Sequence, residues 1–247
     1  MITFGLIGYP LSHSWSQDYF SEKFRRENVS GKEYRLLPIE SIDDFPALIK
    51  QNPSLVGLNV TIPYKEKVIP FIDSIDDTVS EIGALNTIKI SRNKEEVFLK
   101  GYNTDAEGFL LSADFSNHSK ALILGTGGAA KAVNYALKKL NISALFVSRN
   151  PTNSNTIGYK DLSPQLLNEN TLIVNATPIG MYPETGHFPP IPYQFITKKH
   201  FLYDLVYNPP MTQFLQKGLE KGVKIENGLR MFQLQAELSY QIWTSEM

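Results

Sequence analysis

The sequence predicts an α/β protein of two domains, the second a Rossmann-like unit with a central, mostly parallel sheet. Three observations carry this. Short apolar runs bounded by Gly, Pro and Asn alternate with segments of helical period. The alternation starts twice, at Ile2 and again at Ala121. The second start runs straight from Leu122-Ile123-Leu124 into Gly125-Thr126-Gly127-Gly128-Ala129-Ala130, a glycine-rich turn between strand and helix.

In the first unit, residues 2–8 are a strand broken at Gly8-Tyr9-Pro10. After Ser14 the chain turns helical, with Trp15, Tyr19 and Phe20 or Phe24 on one face. Tyr34–Ile39 and Leu55–Thr61 read as strands, Ile42–Lys50 and Lys65–Ile75 as helices, a rhythm suited to a sheet covered on both sides. Ala84–Ser91 and Val97–Tyr102 pair around the polar stretch 92–96. A linking helix over 104–116 follows.

The second unit continues from the glycine turn with a helix over Lys131–Leu140 and a strand over Ala144–Val147; Pro151–Gly158 is polar loop. Leu172–Asn175 and Phe201–Leu205 are further strands, with helices at Gln165–Asn170 and Met211–Gly222. The unit counts fewer strands than a full six-stranded Rossmann sheet. The tail from Leu229 to Thr244 is an amphipathic helix: Met231, Leu234, Leu238 and Ile242 form its stripe, widened by Phe232, Ala236, Tyr240 and Trp243. The expected boundaries are 1–102 joined by a C-terminal segment 225–247, and 103–224.

Composition bounds the chemistry. The 247 residues are 42% hydrophobic and 20% charged, enough to bury a core without disulfides or structural metal. With no cysteine, thiolate catalysis and Cys-based metal sites are excluded. A formal net charge of -1 and the lack of a basic run argue against nucleic acid as partner. The opening ITFGLIGYPLSHS has no basic region before its apolar stretch, and no apolar run reaches the length of a membrane span, so a cytoplasmic protein is the expectation. The aromatic face of the last helix is explained equally by intrachain packing and by self-association, leaving monomer and homodimer open.

Several residues suit a small-molecule site. In the glycine turn, Gly125 permits the bend, Gly127 lets a pyrophosphate approach the backbone, and Ala130 lets helix and strand pack closely. The next strand ends Val147-Ser148-Arg149-Asn150, with a guanidinium where an acidic residue would select NAD, which favours NADP. An ordinary surface arginine is the alternative. In Asn59-Val60-Thr61-Ile62-Pro63-Tyr64-Lys65, Lys65 is a candidate acid/base at the start of a helix, against a merely solvated lysine. Asp105 is its candidate partner or a simple helix cap; Asn86 and Thr87 hold hydroxyls or satisfy a turn. Ser14 and Ser16 can direct two hydroxyls at a carboxylate. His13 lacks a telling acidic partner and suits a structural role, and the four histidines have no metal-ligand spacing.

Eight blocks, in order, resemble the shikimate dehydrogenase family. They are Gly8-Tyr9-Pro10-Leu11-Ser12-His13-Ser14-Trp15-Ser16, Asn59 to Lys65, Gly83-Ala84-Leu85-Asn86-Thr87, Gly101-Tyr102-Asn103-Thr104-Asp105, Gly125 to Ala129, Asn175-Ala176-Thr177-Pro178-Ile179-Gly180-Met181, Asp204-Leu205-Val206-Tyr207-Asn208-Pro209 and Gln235-Ala236. The resemblance implies an N-terminal substrate-binding domain, an NADP-binding domain and reversible reduction of 3-dehydroshikimate to shikimate with NADPH, on the route to chorismate and the aromatic amino acids. It implies Ser14 and Ser16 on the substrate carboxylate. Asn59, Thr61, Asn86, Asp105 and Gln235 would lie around the ring hydroxyls, and Tyr207 would face the substrate. Lys65 would be the main acid/base group and Asp105 would orient substrate and assist proton transfer. Gly125, Gly127, Gly128 and Ala129 would hold the pyrophosphate, Ser148 and Arg149 the 2′-phosphate side, and Thr177, Gly180 and Met181 the nicotinamide-ribose side.

Three departures accompany it. Gln17 replaces the proline usual after the second serine, the Arg149 segment lacks a following basic residue, and the chain is short for the family. A quinate/shikimate dehydrogenase using NAD as well as NADP, a folate-linked dehydrogenase and a non-catalytic metabolite-binding protein are the competing readings. Retention of Lys65 with Asp105 argues against the last, and the Ser14/Ser16 and Asn86/Asp105 set against a pterin partner.

Overall fold

The computed structural model describes residues 1–11, 14–94, 96–151 and 154–245, so His13 lies outside the described residues. The chain divides into two compact units, Met1–Thr104 with Ala236–Met247, and Asp105–Gln235. The division falls inside the last helix rather than before residue 225.

The first unit holds a mixed six-stranded sheet of order β2-β1-β3-β5-β6-β4. Its strands are β1 (Ile2–Gly8), β2 (Lys32–Pro38), β3 (Leu55–Val60), β4 (Ser74–Ile75), β5 (Thr87–Asn93) and β6 (Glu96–Tyr102). Strands β1, β2 and β3 run parallel, whereas β5 is antiparallel to both β3 and β6. Alternation along β1 divides the core between two faces. Phe4 and Leu6 join Phe20 and Phe24 of α1 (Ser16–Arg26) and Trp243 of α8 (Leu229–Thr244). Ile7 turns to the other face, with Phe45 and Ile49 of α2 (Phe45–Gln51) and Val79 of α3 (Asp77–Ile82).

The helix expected over 65–75 is not formed. Residues 66–68 are turns, Ile69–Phe71 a single 3₁₀ turn, and Ser74–Ile75 a short strand beside β6. Pro70 would remove a hydrogen bond from a helix interior and clash with the preceding turn. Val68 and Ile72, spaced as on a helix face, instead pack individually into the core. The helix of this region is α3, capped by Asp76, whose side chain accepts from Val79 N at 2.7 Å, and closed by Gly83 at φ +72°.

The second unit is a complete six-stranded parallel sheet of order β12-β11-β10-β7-β8-β9, which corrects the smaller sheet expected. Its strands are β7 (Lys120–Leu124), β8 (Ser143–Ser148), β9 (Thr156–Gly158), β10 (Leu172–Asn175), β11 (Phe201–Asp204) and β12 (Lys224–Glu226). The additional strands, β9 from the supposed loop and β12, have three residues each, too few to show a period. One face is covered by α4 (Asp105–Ser112), α5 (Gly128–Lys139) and Met231 of α8. The other is covered by α6 (Pro164–Glu169) and α7 (Gln213–Leu219). The linking helix therefore stops at Ser112, short of 116. The order in which strands are added reverses between β7 and β10, and ligands of such sheets bind outside the carboxyl ends of the strands at that switch point. No helix of the described residues is long and apolar enough to cross a membrane.

Candidate active site

In the first unit, Ser14 precedes α1 and Ser16 opens it, with Ser16 N donating to Ser14 Oγ at 3.3 Å. Ser16 is buried and Ser14 half-buried. Thr61 and Lys65 lie on the turn that leaves β3. That turn is pinned: Tyr64 N donates to Thr61 O at 2.9 Å, the buried Tyr64 hydroxyl to Ile39 O at 2.7 Å, and Leu85 N to Lys65 O at 2.8 Å. Lys65 thus stands on a fixed turn and not at the helix start expected from the sequence.

Asn59 and Asn86 belong to a buried polar network. Asn59 Oδ1 accepts from the Tyr34 hydroxyl at 2.9 Å, and its Nδ2 donates to Asn86 O at 3.2 Å and to Ser239 Oγ at 3.0 Å. Asn86 clasps Thr104, donating from Nδ2 to Thr104 Oγ1 at 2.9 Å and accepting Thr104 N at 2.7 Å. The Ser239 hydroxyl also meets Thr87 Oγ1 at 2.7 Å and Thr104 Oγ1 at 3.1 Å. The network fixes the residue immediately before Asp105. Ser239 has no counterpart among the site residues drawn from the sequence. It looks like any polar residue of a solvated helix, yet it is fully buried.

In the second unit Asp105 begins α4 and is only 6% exposed. Gly108, one turn later, lets α8 approach: a Cβ there would lie 3.0 Å from Gln235 Cβ and 3.1 Å from Gln235 N. Gln235 Nε2 donates to Phe232 O at 3.0 Å, and the Phe232 ring stacks on Tyr207 at 4.8 Å between centroids. Residues Gln235 and Tyr207 are therefore organised around Phe232, with Gln235 beside the helix that Asp105 opens.

The glycine turn leaves β7 at the switch point. Gly125 has φ +108°, and a Cβ there would lie 3.0 Å from Thr177 Cγ2 and 3.3 Å from Ala176 O. Gly127 precedes α5 without a side-chain cap and faces open space, so the first amides of α5 are accessible to a phosphate group. These residues fit a dinucleotide. Ser148 ends β8, with its Oγ accepting from Asn150 N at 3.2 Å, and Arg149 is exposed beyond it. Thr177, Gly180 and Met181 lie on the loop after β10; Gly180 is buried and Met181 exposed.

A family model described as the shikimate dehydrogenase substrate binding domain matches residues 6–88. The shikimate dehydrogenase (NADP(+)) of Carboxydothermus hydrogenoformans is 36% identical over 261 residues, covering 97% of this chain and 90% of its own length. The chain belongs to the shikimate dehydrogenase family. Shikimate dehydrogenase 1 from Peptoclostridium difficile superposes with a TM-score of 0.87 at 35% identity, covering 100% of this chain and 93% of that one. The Thermus thermophilus shikimate 5-dehydrogenase, crystallised with NADP(H) and shikimate, gives a TM-score of 0.85 at 27% identity, covering 100% and 95%. The short chain of this shikimate dehydrogenase family member therefore retains both units of its relatives.

Proposed function

We propose that the protein is a shikimate dehydrogenase that reversibly reduces 3-dehydroshikimate to shikimate with NADPH, within chorismate and aromatic amino acid biosynthesis. The observation that carries this is 36% identity across nearly the whole chain to a relative named for that reaction, joined to a glycine turn open at Gly127. Gly125, Gly127, Gly128 and Ala129 would hold the pyrophosphate, Ser148 and Arg149 the 2′-phosphate side, and Thr177, Gly180 and Met181 the nicotinamide-ribose side. When bound, the reduced nicotinamide supplies hydride to the ketone carbon.

Ser14 and Ser16 bind the substrate carboxylate, with Thr61, Asn86, Tyr207 and Gln235 on the ring side. Asn59, whose amide is engaged by Tyr34, Asn86 and Ser239, acts by holding Asn86. Lys65 is the principal acid/base: as ammonium it stabilises negative charge developing on the carbonyl oxygen and donates the proton, and as amine it accepts the proton in the reverse direction. Asp105 orients substrate and assists proton transfer. A fixed backbone at Lys65 suits this role, because proton transfer needs the donor held within hydrogen-bond reach.

The test is a steady-state assay following nicotinamide absorbance with shikimate or quinate and NADP or NAD, beside Lys65→Ala. Turnover confined to shikimate with NADP, with kcat reduced by roughly 10²–10⁴ in the variant, is the expected result. Quinate turnover of comparable kcat/KM would replace this reading with the broader-specificity one. No turnover by folded protein would remove the enzymatic reading.

A further inference from the structure

Two neighbouring strands of the second sheet, both otherwise apolar, end on a buried polar residue at the same register position: Asn175 of β10 pairs with Asp204 of β11. Both are fully buried. Asp204 is not among the residues assigned above to binding or proton transfer, yet its carboxylate joins three segments. Oδ1 accepts from Val206 N at 3.0 Å, which folds the chain back just after β11, and from Asn175 Nδ2 at 2.9 Å. Oδ2 accepts from Thr212 Oγ1 at 2.6 Å, and Thr212 Oγ1 in turn caps α7 by accepting from Leu215 N at 3.3 Å.

The bond to Asn175 has a directional consequence. A carboxylate demands a donor, so it turns Asn175 Nδ2 toward itself and Oδ1 away. That oxygen accepts from Thr177 Oγ1 at 2.6 Å and Thr177 N at 3.2 Å. Reversal of the amide would set its NH₂ against the Thr177 backbone N–H, which can only donate. The Thr177 hydroxyl thus points inward, and its oxygen takes Ile179 N at 3.3 Å. A second tie closes the pair of loops, Tyr182 N donating to Asn208 O at 3.0 Å.

We propose that Asp204 is a positioning residue for the reaction, its carboxyl clamping the loop after β10, which carries Thr177, to the loop after β11, which carries Tyr207. The role rests on the shikimate dehydrogenase reading, since Thr177 is there assigned to the nicotinamide-ribose side and Tyr207 to the substrate. Burial pushes the carboxyl up to about 7. Retaining an acid in such a place, where an apolar residue would pack at lower cost, fits a demand for directed hydrogen bonds.

The test uses the full chain as wild type, Asp204→Ala, Asp204→Asn, Thr212→Val and Thr212→Ser. Kinetic constants for NADPH and 3-dehydroshikimate are measured beside amide hydrogen exchange of segments 176–182 and 205–212. Asp204→Ala is expected to raise KM for NADPH about tenfold and to speed exchange in both segments about tenfold, with β7 and α5 unchanged. Thr212→Val should do the same more weakly, and Thr212→Ser should return to within about twofold of wild type. If Asp204→Ala does not fold, the Thr212 pair carries the test. Unchanged exchange in the two segments, exchange raised uniformly over the unit, or unchanged KM in a turning-over enzyme each overturn the proposal. Wild-type protein without turnover overturns the functional reading, and the positioning role with it; normal wild-type turnover with unaltered Asp204 and Thr212 variants overturns the role alone.

Discussion

Replacing Ser239 by alanine removes the hydroxyl at the centre of the first unit's buried network. Three contacts disappear, to Asn59 Nδ2 at 3.0 Å, Thr87 Oγ1 at 2.7 Å and Thr104 Oγ1 at 3.1 Å. Each partner keeps another: Asn59 retains Asn86 O, Thr104 retains Asn86 Nδ2, and Thr87 retains Asn86 Oδ1 at 3.2 Å. No group is stranded, so the cost sits at the net worth of the lost bonds rather than at full desolvation, about 1–2 kcal/mol. At roughly 2–4 °C per kcal/mol for a chain of this size, the expected fall in Tm is about 2–8 °C. The two tryptophans, Trp15 and Trp243, both lie in the first unit, so tryptophan fluorescence during heating reports on that unit. Thr244→Ala is the control on the same helix, because its hydroxyl is exposed and bonds only within the helix, at 2.8 Å to Tyr240 O; it should move Tm by less than about 2 °C. A Ser239→Ala midpoint within 1 °C of wild type, as for the control, would refute the assignment of Ser239 as a structural hub.

Gly108→Ala should destabilise the second unit by about 1–3 kcal/mol in denaturant titration, since the new Cβ meets Gln235 N and Met231 O at 3.1 Å and backbone cannot yield cheaply; a neutral result would mean α4 and α8 separate freely. Arg149→Ala should lower the ratio of kcat/KM for NADP over NAD by about tenfold or more through loss of a charge-assisted phosphate contact, and an unchanged ratio would return Arg149 to the surface. The raised pKa of Asp204 sets a pH dependence of stability. An unfolded carboxyl titrates near 3.9, so the folded state binds more protons between about pH 4 and 7 and this contribution to stability is lost as pH rises through that window. From pH 5 to 8 the loss is about 3 kcal/mol in wild type and absent from Asp204→Asn, measured as the difference between their unfolding free energies. A difference constant over that range would refute it.

The elements legible from sequence were those whose burial writes a period. The parallel strands at Ile2–Gly8, Leu55–Val60, Lys120–Leu124 and Leu172–Asn175 are apolar runs ending in turn residues, because both faces of their sheets are covered. The helix expected over 65–75 does not form because Pro70 interrupts it, and the signals for a helix in this region, the Asp76 cap and the Gly83 stop, belong to α3. In α8 the expected stripe of Met231, Leu234, Leu238 and Ile242 is rotated. The buried residues are Met231, Phe232, Ala236, Ser239 and Trp243, whereas Leu234, Leu238 and Ile242 are half-buried, and a serine in that seam counts as polar in any periodicity.

For the candidate site, the motifs at strand ends were legible because glycine turns and polar residues after apolar runs mark the carboxyl edges where these sheets bind ligands. The supports beneath were not, and the reason is common to both units. Asn59 pairs in register with Thr87, and Asn175 with Asp204. Each residue alone is a polar interruption of an apolar strand, equally consistent with a turn about to begin. Its meaning depends on which strand lies beside it, and pairing between strands 28 or 29 residues apart is a property of the sheet order, not of either segment. A buried amide facing a buried hydroxyl or carboxylate holds one orientation, whereas facing an apolar neighbour it would be left unsatisfied. Matched polar residues at the ends of adjacent buried strands therefore fix where the loops above them begin, and those loops carry Lys65 in one unit and Thr177 and Tyr207 in the other.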